Sequence, residues 1–420
     1  MRSTKRIALA LGVLLSIAAS SVLFGNLPLT TSRGADPQGE AKAVRPLRIS
    51  LFPYVPDQKL IQSVIEKRWK KLHPDVPLDF VTEGFDSYDQ DPPADLDVFE
   101  FDGIGLDYYV RNNFLSPLAL EDAKDSEDYL DFAWKGCLID GRLYAIPRLA
   151  CTYVMIYREG DKEIEGAKGL RELSQVLGVG PSKYPKGMTE PVPEPNKGLL
   201  IDLSGGTDCA CLYLDAFADV TGKYSVRPKL PLAIDLDSAG LADLRLLAGM
   251  AGKPQAFFEE TWGAPPKRPT WFGEGKGRAF AGYTERLYFI PQEAHGKLKV
   301  RDLPMGERNK VNHLYVDMLG LNSSLRGERR KLAIELINVC TEAETMLECL
   351  MPADGKPSQY LLPVRASVLK NEKLLKEAPL YAELAKLLDP STNPRTYRLG
   401  PEYRDWLKLN KKVIQSQLFE

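Results

Sequence analysis

The feature that most restricts the fold is the alternation of strand and helix patterns near the N-terminus. Residues 47–54 alternate and carry β-favouring side chains, which predicts a strand. Residues 57–72 then place apolar side chains at helical spacing behind a capping aspartate, Asp57. The patterns that follow predict two strands and a helix, at 76–81, 96–101 and 106–112. The order β-α-β-β-α predicts an open α/β sheet with ligand sites at the carboxyl ends of strands, where Asp102 lies.

The second half of the chain continues the alternation. It predicts strands at 199–203 and 279–283, strands returning to the first sheet at 298–303 and 315–321, and helices at 207–221, 238–251 and 329–349. Stretches rich in Gly and Pro, at 178–195 and 262–277, predict loops. The turn S-G-G-T at 204–207 resembles a phosphate-binding turn but lacks the P-loop lysine, so we interpret it as a capped helix start bordering a cleft.

The N-terminus has the pattern of a secretory signal peptide. Arg2, Lys5 and Arg6 precede an apolar run at 7–24 that contains small residues near its end. We therefore predict a signal peptide at 1–25 and a disordered tether at 26–45, and a secreted or periplasmic protein without stable membrane association after cleavage. An uncleaved anchor is the alternative, because the run is close to the minimum length for a membrane span.

Charge and composition exclude several kinds of site. The net charge of −2 gives no clustered basic surface, which argues against a nucleic-acid partner. The chain has no metal-binding motif, so no metal site is predicted. Its three histidines occur in no Cys-His or Ser-His-Asp pattern, and a base for a cysteine nucleophile is therefore expected to be a carboxylate.

The six cysteines do not have the spacing of a disulfide scaffold. Cys209 and Cys211 are too close in sequence, and Cys340 and Cys349 lie on one predicted helix about 13.5 Å apart. We interpret most of them as buried thiols, with Cys151 as the exception. Cys151 follows Pro147 on a predicted strand edge, where a thiol is well placed to act as a nucleophile, although a buried thiol is the alternative.

Seven short motifs follow one another along the chain. They are P-Y-V-P-D at 53–57, F-D-S-Y-D-Q-D-P-P-A-D-L-D-V-F at 85–99, I-P-R-L-A-C-T at 146–152, N-K-G-L-L-I-D-L-S-G-G-T at 196–207, G-R-A-F-A-G-Y-T-E at 277–285, Y-V-D at 315–317 and Y-L-L-P-V-R at 360–365. Each motif alone is unspecific. In this order, across about 47–407, the sequence resembles thiaminase I (thiamine pyridinylase).

The resemblance implies a fold and a domain organisation. The expected fold is the two-lobed α/β fold of periplasmic solute-binding proteins of type II, with a ligand cleft between the lobes. The chain is expected to cross between lobes near 141–157, giving lobe I at 46–150 and 300–345 and lobe II at 151–299 and 346–420. The protein is expected to be a monomer.

The resemblance also implies a reaction. Cys151 would attack the aminopyrimidine of thiamine, the thiazole would leave, and an external amine or thiol would take up the pyrimidine-methylene group. Glu285 falls on the position of the catalytic glutamate, although a surface glutamate paired with Arg286 is the alternative reading of the residue. No cofactor is expected, because thiamine is the substrate.

Two groups of residues are predicted to bind the substrate. Asp102 and Asp317 lie near predicted strand ends, where carboxylates pair with a cationic or amidine-like ligand; Asp91, Asp95 and Asp97 are alternatives nearby. Aromatic faces hold cationic heterocycles, and four tyrosines recur in the motifs: Tyr54, Tyr88, Tyr283 and Tyr315. Phe52 stands where the family is expected to accept a tyrosine.

Two other functions are compatible with the same fold. A non-catalytic binding protein for thiamine or a pyrimidine would keep the aromatics and carboxylates but would not need Cys151 with Glu285. A sugar- or oligopeptide-binding protein would favour more tryptophan in the cleft than a chain with five in total provides.

Overall fold

A computed structural model describes residues 45–81, 85–184, 189–223, 230–231, 236–260 and 264–420 of the chain. The predicted signal peptide and nearly all of the predicted tether lie outside these residues, and both stay predictions. Within the described ranges, no helix is both long enough and apolar enough to cross a bilayer. The described residues belong to one unit, Val44–Glu420.

Thirteen strands form within the described ranges. Numbered in chain order, they are β1 (Leu47–Ser50), β2 (Leu78–Phe80), β3 (Val98–Asp102), β4 (Leu138–Ile139), β5 (Arg142–Leu143), β6 (Ala145–Cys151), β7 (Tyr153–Arg158), β8 (Pro195–Ile201), β9 (Gly277–Tyr283), β10 (Leu298–Asp302), β11 (Asn312–Leu321), β12 (Leu362–Pro363) and β13 (Pro394–Thr396).

The described helices cover the faces of the sheets. They are α1 (Gln58–Leu72), α2 (Leu106–Arg111), α3 (Asp131–Gly136), α4 (Lys162–Gly166), α5 (Leu170–Leu177), α6 (Gly206–Thr221), α7 (Ser238–Ala251), α8 (Lys253–Ala256), α9 (Lys267–Gly273), α10 (Gln292–His295), α11 (Gly327–Thr341), α12 (Ala343–Leu350), α13 (Ala366–Leu369), α14 (Glu372–Glu377), α15 (Tyr381–Leu387) and α16 (Tyr403–Ser416).

Two mixed sheets organise the structure. The large sheet has the order β12-β6-β11-β3-β1-β2, with β13 beside β11, and the small sheet has the order β10-β7-β9-β8. Strand β1 runs parallel to β2 and β3, whereas β11 runs antiparallel to β3 and β6. All five residues of β3 are buried, as expected for a strand covered on both faces. β4 and β5 form a separate hairpin.

The chain passes from one sheet to the other at Thr152, between β6 and β7. Cys151 is therefore the last residue of a large-sheet strand, at the predicted crossing. The sequence predicted two strands that return to the large sheet, at 298–303 and 315–321. Residues 298–302 instead pair with β7 in the small sheet, and only β11 belongs to the large sheet. Hydrogen bonding to a partner far along the chain decides the sheet, and strand propensity cannot identify that partner.

The C-terminal segment contributes to both sheets, which differs from its predicted place in lobe II alone. β12 pairs with β6 and β13 pairs with β11, so both belong to the large sheet. Helix α16 instead joins the apolar cluster beside the small sheet through Tyr403, Trp406 and Leu407. The lobe boundaries as a whole stay a prediction.

Two local predictions are wrong. The predicted helix at 329–349 is two helices, because Glu342 adopts extended backbone angles between α11 and α12. The predicted loop at 262–277 contains α9, although residues 261–263 are outside the described ranges. In contrast, α7 has the predicted bounds.

The start of α1 is fixed by its N-cap. The Asp57 carboxylate accepts a hydrogen bond from the Leu60 backbone N–H at 3.0 Å and also pairs with Lys356. We expect Asp57→Ala to lower the free energy of unfolding by about 1 kcal/mol, because it leaves a helix N–H without its acceptor. Denaturant unfolding measures this, with the exposed Asp75→Ala as a matched control. Asp57→Asn should retain most of the stability; an equal loss in Asp57→Asn would assign the effect to the Lys356 pair.

Candidate active site

All eight residues predicted to form the site line one cavity of about 810 Å3. Its wall combines groups from strands of the large sheet with groups from the small sheet. The large sheet contributes Asp102, Cys151, Tyr315 and Asp317, the small-sheet strand β9 and its continuation contribute Tyr283 and Glu285, and the loops after β1 and β2 contribute Tyr54 and Tyr88. The strand order therefore brings together side chains that are up to 263 positions apart in sequence, from Tyr54 to Asp317.

Cys151 lies at the end of β6, and its backbone is held in register with Tyr315 of β11. It is half-buried, whereas the other five cysteines are buried, as the sequence predicted. Burial raises the pKa of the Cys151 thiol well above its ordinary value, and the negative charges of Glu285, Asp317 and Asp102 act in the same direction. At neutral pH the group is therefore a thiol, and its nucleophilic form requires a base.

Glu285 lies in a 3-10 helix, Thr284–Phe289, that continues β9 into the cavity. Its side chain is buried, so it is not the surface residue that the alternative interpretation required. Burial raises the pKa of Glu285 to about 7, against an opposing effect of the neighbouring Arg286. A carboxylate with this pKa is a stronger base than an ordinary glutamate and is still partly ionised at neutral pH.

Asp102 and Asp317 are direct cross-strand partners on β3 and β11. Asp102 accepts hydrogen bonds from the Tyr88 hydroxyl at 2.7 Å and the Ile104 backbone N–H at 3.0 Å. Burial raises the pKa of Asp102 to about 6. Burial, followed by the charge of Glu100, raises the pKa of Asp317 well above its ordinary value, despite the opposing charge of Arg148. Asp102 is therefore mostly ionised near neutral pH, whereas Asp317 holds its proton more strongly than an ordinary aspartic acid does.

A buried ion pair acts electrostatically on Asp317. Glu100 on β3 and Arg148 on β6 flank β11, both side chains are at most 2% exposed, and Arg148 donates to Glu100 through Nε and, at 2.9 Å, through Nη2. Glu100 also accepts from the Phe52 backbone N–H at 2.8 Å, which fixes the loop that carries Phe52 and Tyr54 into the cavity wall. The Glu100 carboxylate thus joins β3 to β6 and to the loop after β1.

Aromatic rings form two walls of the cavity. Phe52, Tyr54 and Tyr88 pack together with ring centroids 5.3–6.2 Å apart. Tyr283 contacts Tyr315 edge-to-face at 5.4 Å. The expected tyrosine position is filled by Phe52, which lines the wall without a hydroxyl. A flat cationic ring fits such walls, because π faces attract positive charge.

Sequence reasoning missed Asp208, which lines the cavity beside Thr207 at the start of α6. Asp208 accepts a hydrogen bond from the Tyr283 hydroxyl at 3.0 Å, and burial raises the pKa of its carboxyl to about 6. The S-G-G-T turn does border the cleft as expected, but its side chains do not cap α6; Ser204 donates to Asp202 instead. The sequence signal that could have identified Asp208 is its position as an acidic residue directly after that turn.

Two other possibilities for a site receive no support from the described residues. No three His, Cys, Asp or Glu side chains converge there as they would around a metal ion. A second cavity of about 210 Å3 includes His313 and Asp215. Those two groups already bond to each other at 2.6 Å, and the Asn312 amide donates to the Leu387 carbonyl, so these three side chains have internal partners.

Comparisons with known proteins identify relatives of this chain. The Thiaminase-1 domain family matches residues 152–306. Thiaminase-1 of Paenibacillus thiaminolyticus is 38% identical over 375 residues, which cover 89% of this chain and 88% of that protein. The structure of Clostridium botulinum thiaminase I in complex with thiamin superposes with a TM-score of 0.83 at 37% identity, over 89% of this chain and 100% of that one.

More distant structures show the fold alone. Maltose-bound T. maritima MalE3 superposes with a TM-score of 0.63 at 17% identity, covering 89% of this chain and 94% of that one. The predicted mixed α/β fold of type II periplasmic binding proteins is confirmed by this similarity.

Proposed function

The chain belongs to the thiaminase I family of thiamine-degrading enzymes, and we propose that it binds thiamine in the 810 Å3 cavity and transfers its aminopyrimidine-methylene group to an external amine or thiol. One observation carries the proposal: Cys151, Glu285, Asp102 and Asp317 all line this cavity. The structure of the C. botulinum relative is a complex with thiamin, which supports the choice of ligand.

Asp102 and Asp317 hold the aminopyrimidine. A neutral Asp317 donates a proton to a ring nitrogen, while the Asp102 carboxylate accepts from the exocyclic amino group. This arrangement withdraws electron density from the ring, so that C6 becomes more electrophilic. The side-by-side register of the two residues and the raised pKa of Asp317 support these roles.

Cys151 then adds to C6. Its thiol proton passes to the Glu285 carboxylate as the S–C6 bond forms, and the added electron pair enters the pyrimidine ring. The bond between the methylene and the thiazolium nitrogen breaks, and the nitrogen keeps the bonding pair as neutral thiazole leaves. The raised thiol pKa makes this proton transfer necessary, and a nearby base with a pKa of about 7 matches the task.

The external nucleophile completes the exchange. Glu285 first releases the proton that it took from the thiol to solvent, which leaves it ionised. An amine or thiol then attacks the exposed methylene and loses its proton to the Glu285 carboxylate, and Cys151 departs from C6 with the S–C6 bonding pair as the ring regains its aromatic form. The thiolate recovers a proton, which returns the site to its starting state. Glu285 thus moves a proton in both halves of the reaction.

The proposal is tested by incubating the purified protein with thiamine and aniline and separating the products by chromatography with mass detection. We expect free thiazole alcohol together with an aniline adduct of the aminopyrimidine-methylene group, in equal amounts, because each transfer releases one thiazole. Binding of thiamine without thiazole release would contradict the proposal and identify a solute-binding protein. Omitting the amine is the control, since turnover then lacks its acceptor.

A further inference from the structure

A buried histidine connects the segment that carries Glu285 to the segment next to the Cys151 strand. His295, at the end of α10, is 6% exposed. Its Nε2 lies 3.2 Å from the Leu287 carbonyl oxygen and 3.0 Å from the Ile290 carbonyl oxygen. Its Nδ1 lies 3.0 Å from the Tyr360 hydroxyl. The imidazole ring thus contacts both segments.

The partners fix the tautomer of His295. A carbonyl oxygen only accepts, so the proton of a neutral ring lies on Nε2, and Nδ1 accepts from the Tyr360 hydroxyl. Burial lowers the pKa of His295, which favours this neutral form. Both ring nitrogens are therefore used, and the orientation of the imidazole is fully determined.

The two segments belong to different sheets. Leu287 and Ile290 lie within and just after the 3-10 helix Thr284–Phe289, which continues small-sheet strand β9 and carries Glu285. Tyr360 lies two residues before β12, whose Leu362 pairs with Ala150 beside Cys151. The contact therefore joins the part of the cavity wall that carries Glu285 to the part that carries Cys151.

Tyr360 is itself held in an unusual conformation. Its φ of 53° lies in the left-handed region, which a bulky residue adopts at a cost that its surroundings must offset. Its side chain is 2% exposed, and the next residue, Leu361, lines the cavity. The Tyr381 hydroxyl donates to the Leu361 carbonyl at 2.9 Å and fixes the backbone there.

We infer that His295 and Tyr360 are positioning residues, a clasp that holds Glu285 within proton-transfer reach of Cys151. The inference rests on the proposed role of Glu285 as the base. Neither residue lines the cavity, so the clasp acts only through the segment it holds. A displacement of about 1 Å in a catalytic group can cost on the order of 100-fold in rate, so a small relaxation of this segment is sufficient to be measured.

A double-mutant cycle tests the clasp. Tyr360→Phe removes only the hydroxyl, and we expect kcat for thiazole release to fall about 10- to 100-fold when Glu285 is present. In the Glu285→Gln background the same change should alter the residual rate less than about twofold, because no base remains to be positioned. Tyr129→Phe is the matched control: Tyr129 is a buried tyrosine whose hydroxyl accepts from Arg365 at 2.8 Å outside the cavity, and its effect should be equal in both backgrounds.

The outcomes separate the clasp from the proposed function. Equal losses for Tyr360→Phe in both backgrounds, or a wild-type rate for Tyr360→Phe, would overturn the clasp while leaving Glu285 as the base. A Glu285→Gln variant as fast as wild type would remove the proposed base and the clasp with it. If Tyr360→Phe does not fold, His295→Asn decides by the same cycle, because its amide can replace Nδ1 but has no group at the Nε2 position.

Discussion

Replacing Cys151 by serine should reduce thiazole release by more than about 10⁴-fold while leaving thiamine affinity within a few fold of wild type. Serine is close in size to cysteine, so the cavity keeps its shape. Its hydroxyl is a far weaker acid than a thiol, and a base with a pKa of about 7 cannot deprotonate it effectively. Product release followed by chromatography, together with calorimetric thiamine binding, gives both quantities.

Cys137→Ser provides the matched control, because Cys137 is a fully buried thiol outside the cavity. It should retain the wild-type rate wherever it remains folded. Mass spectrometry of wild-type protein with thiamine and no acceptor should also find the pyrimidine adduct on the peptide that contains Cys151. An adduct on another residue, or turnover in the serine variant, would refute the assignment.

Glu285→Gln should lower kcat by roughly 10²–10⁴, the usual contribution of a positioned acid–base group. The amide keeps the size of the side chain and its hydrogen bonding but cannot accept a proton. Thiamine affinity should change far less, since the loss is confined to steps after binding. Glu274→Gln, at an exposed glutamate outside the cavity, should behave like wild type.

The pH profile gives an independent measurement of the same role. A base must be ionised to act, and the pKa of Glu285 is raised to about 7, so wild-type activity should fall as pH decreases through that value. This acid limb should be absent from the residual activity of the Gln variant. A Gln variant with near wild-type turnover and an unchanged acid limb would move the base elsewhere, and Asp102 would be the next candidate.

Local signals in the sequence predicted the parts of the fold that depend on neighbouring residues. Asp57 marks the start of α1 because an N-cap acts on the N–H groups of the next turn. The break at Glu342 was missed, because apolar spacing continues across one extended residue. The sheet membership of β10 was missed because it depends on a distant partner, the strand β7, which lies far away along the chain.

The site was predictable only as far as motifs reached. Cys151, Glu285 and Asp317 were found through their motifs and Asp102 through its place at a predicted strand end, and the structure brings all four to one cavity. Asp208 and the His295–Tyr360 contact were not found, because their importance depends on packing: Asp208 meets Tyr283 from another element, and His295 meets a tyrosine 65 positions away.

The division of the site between two sheets has a consequence for the protein without bound substrate. Asp102, Asp317 and Cys151 lie on three adjacent strands, where the backbone ladder fixes neighbouring strands about 4.8 Å apart, whereas Glu285 approaches from the other sheet. Any separation of the sheets would move the proton acceptor away from the thiol and, with it, a negative charge that raises the thiol pKa. Oxidants and alkylating agents attack the thiolate, so Cys151 is better protected from chemical damage while the two sheets stay together, where burial and the charge of Glu285 keep it a neutral thiol.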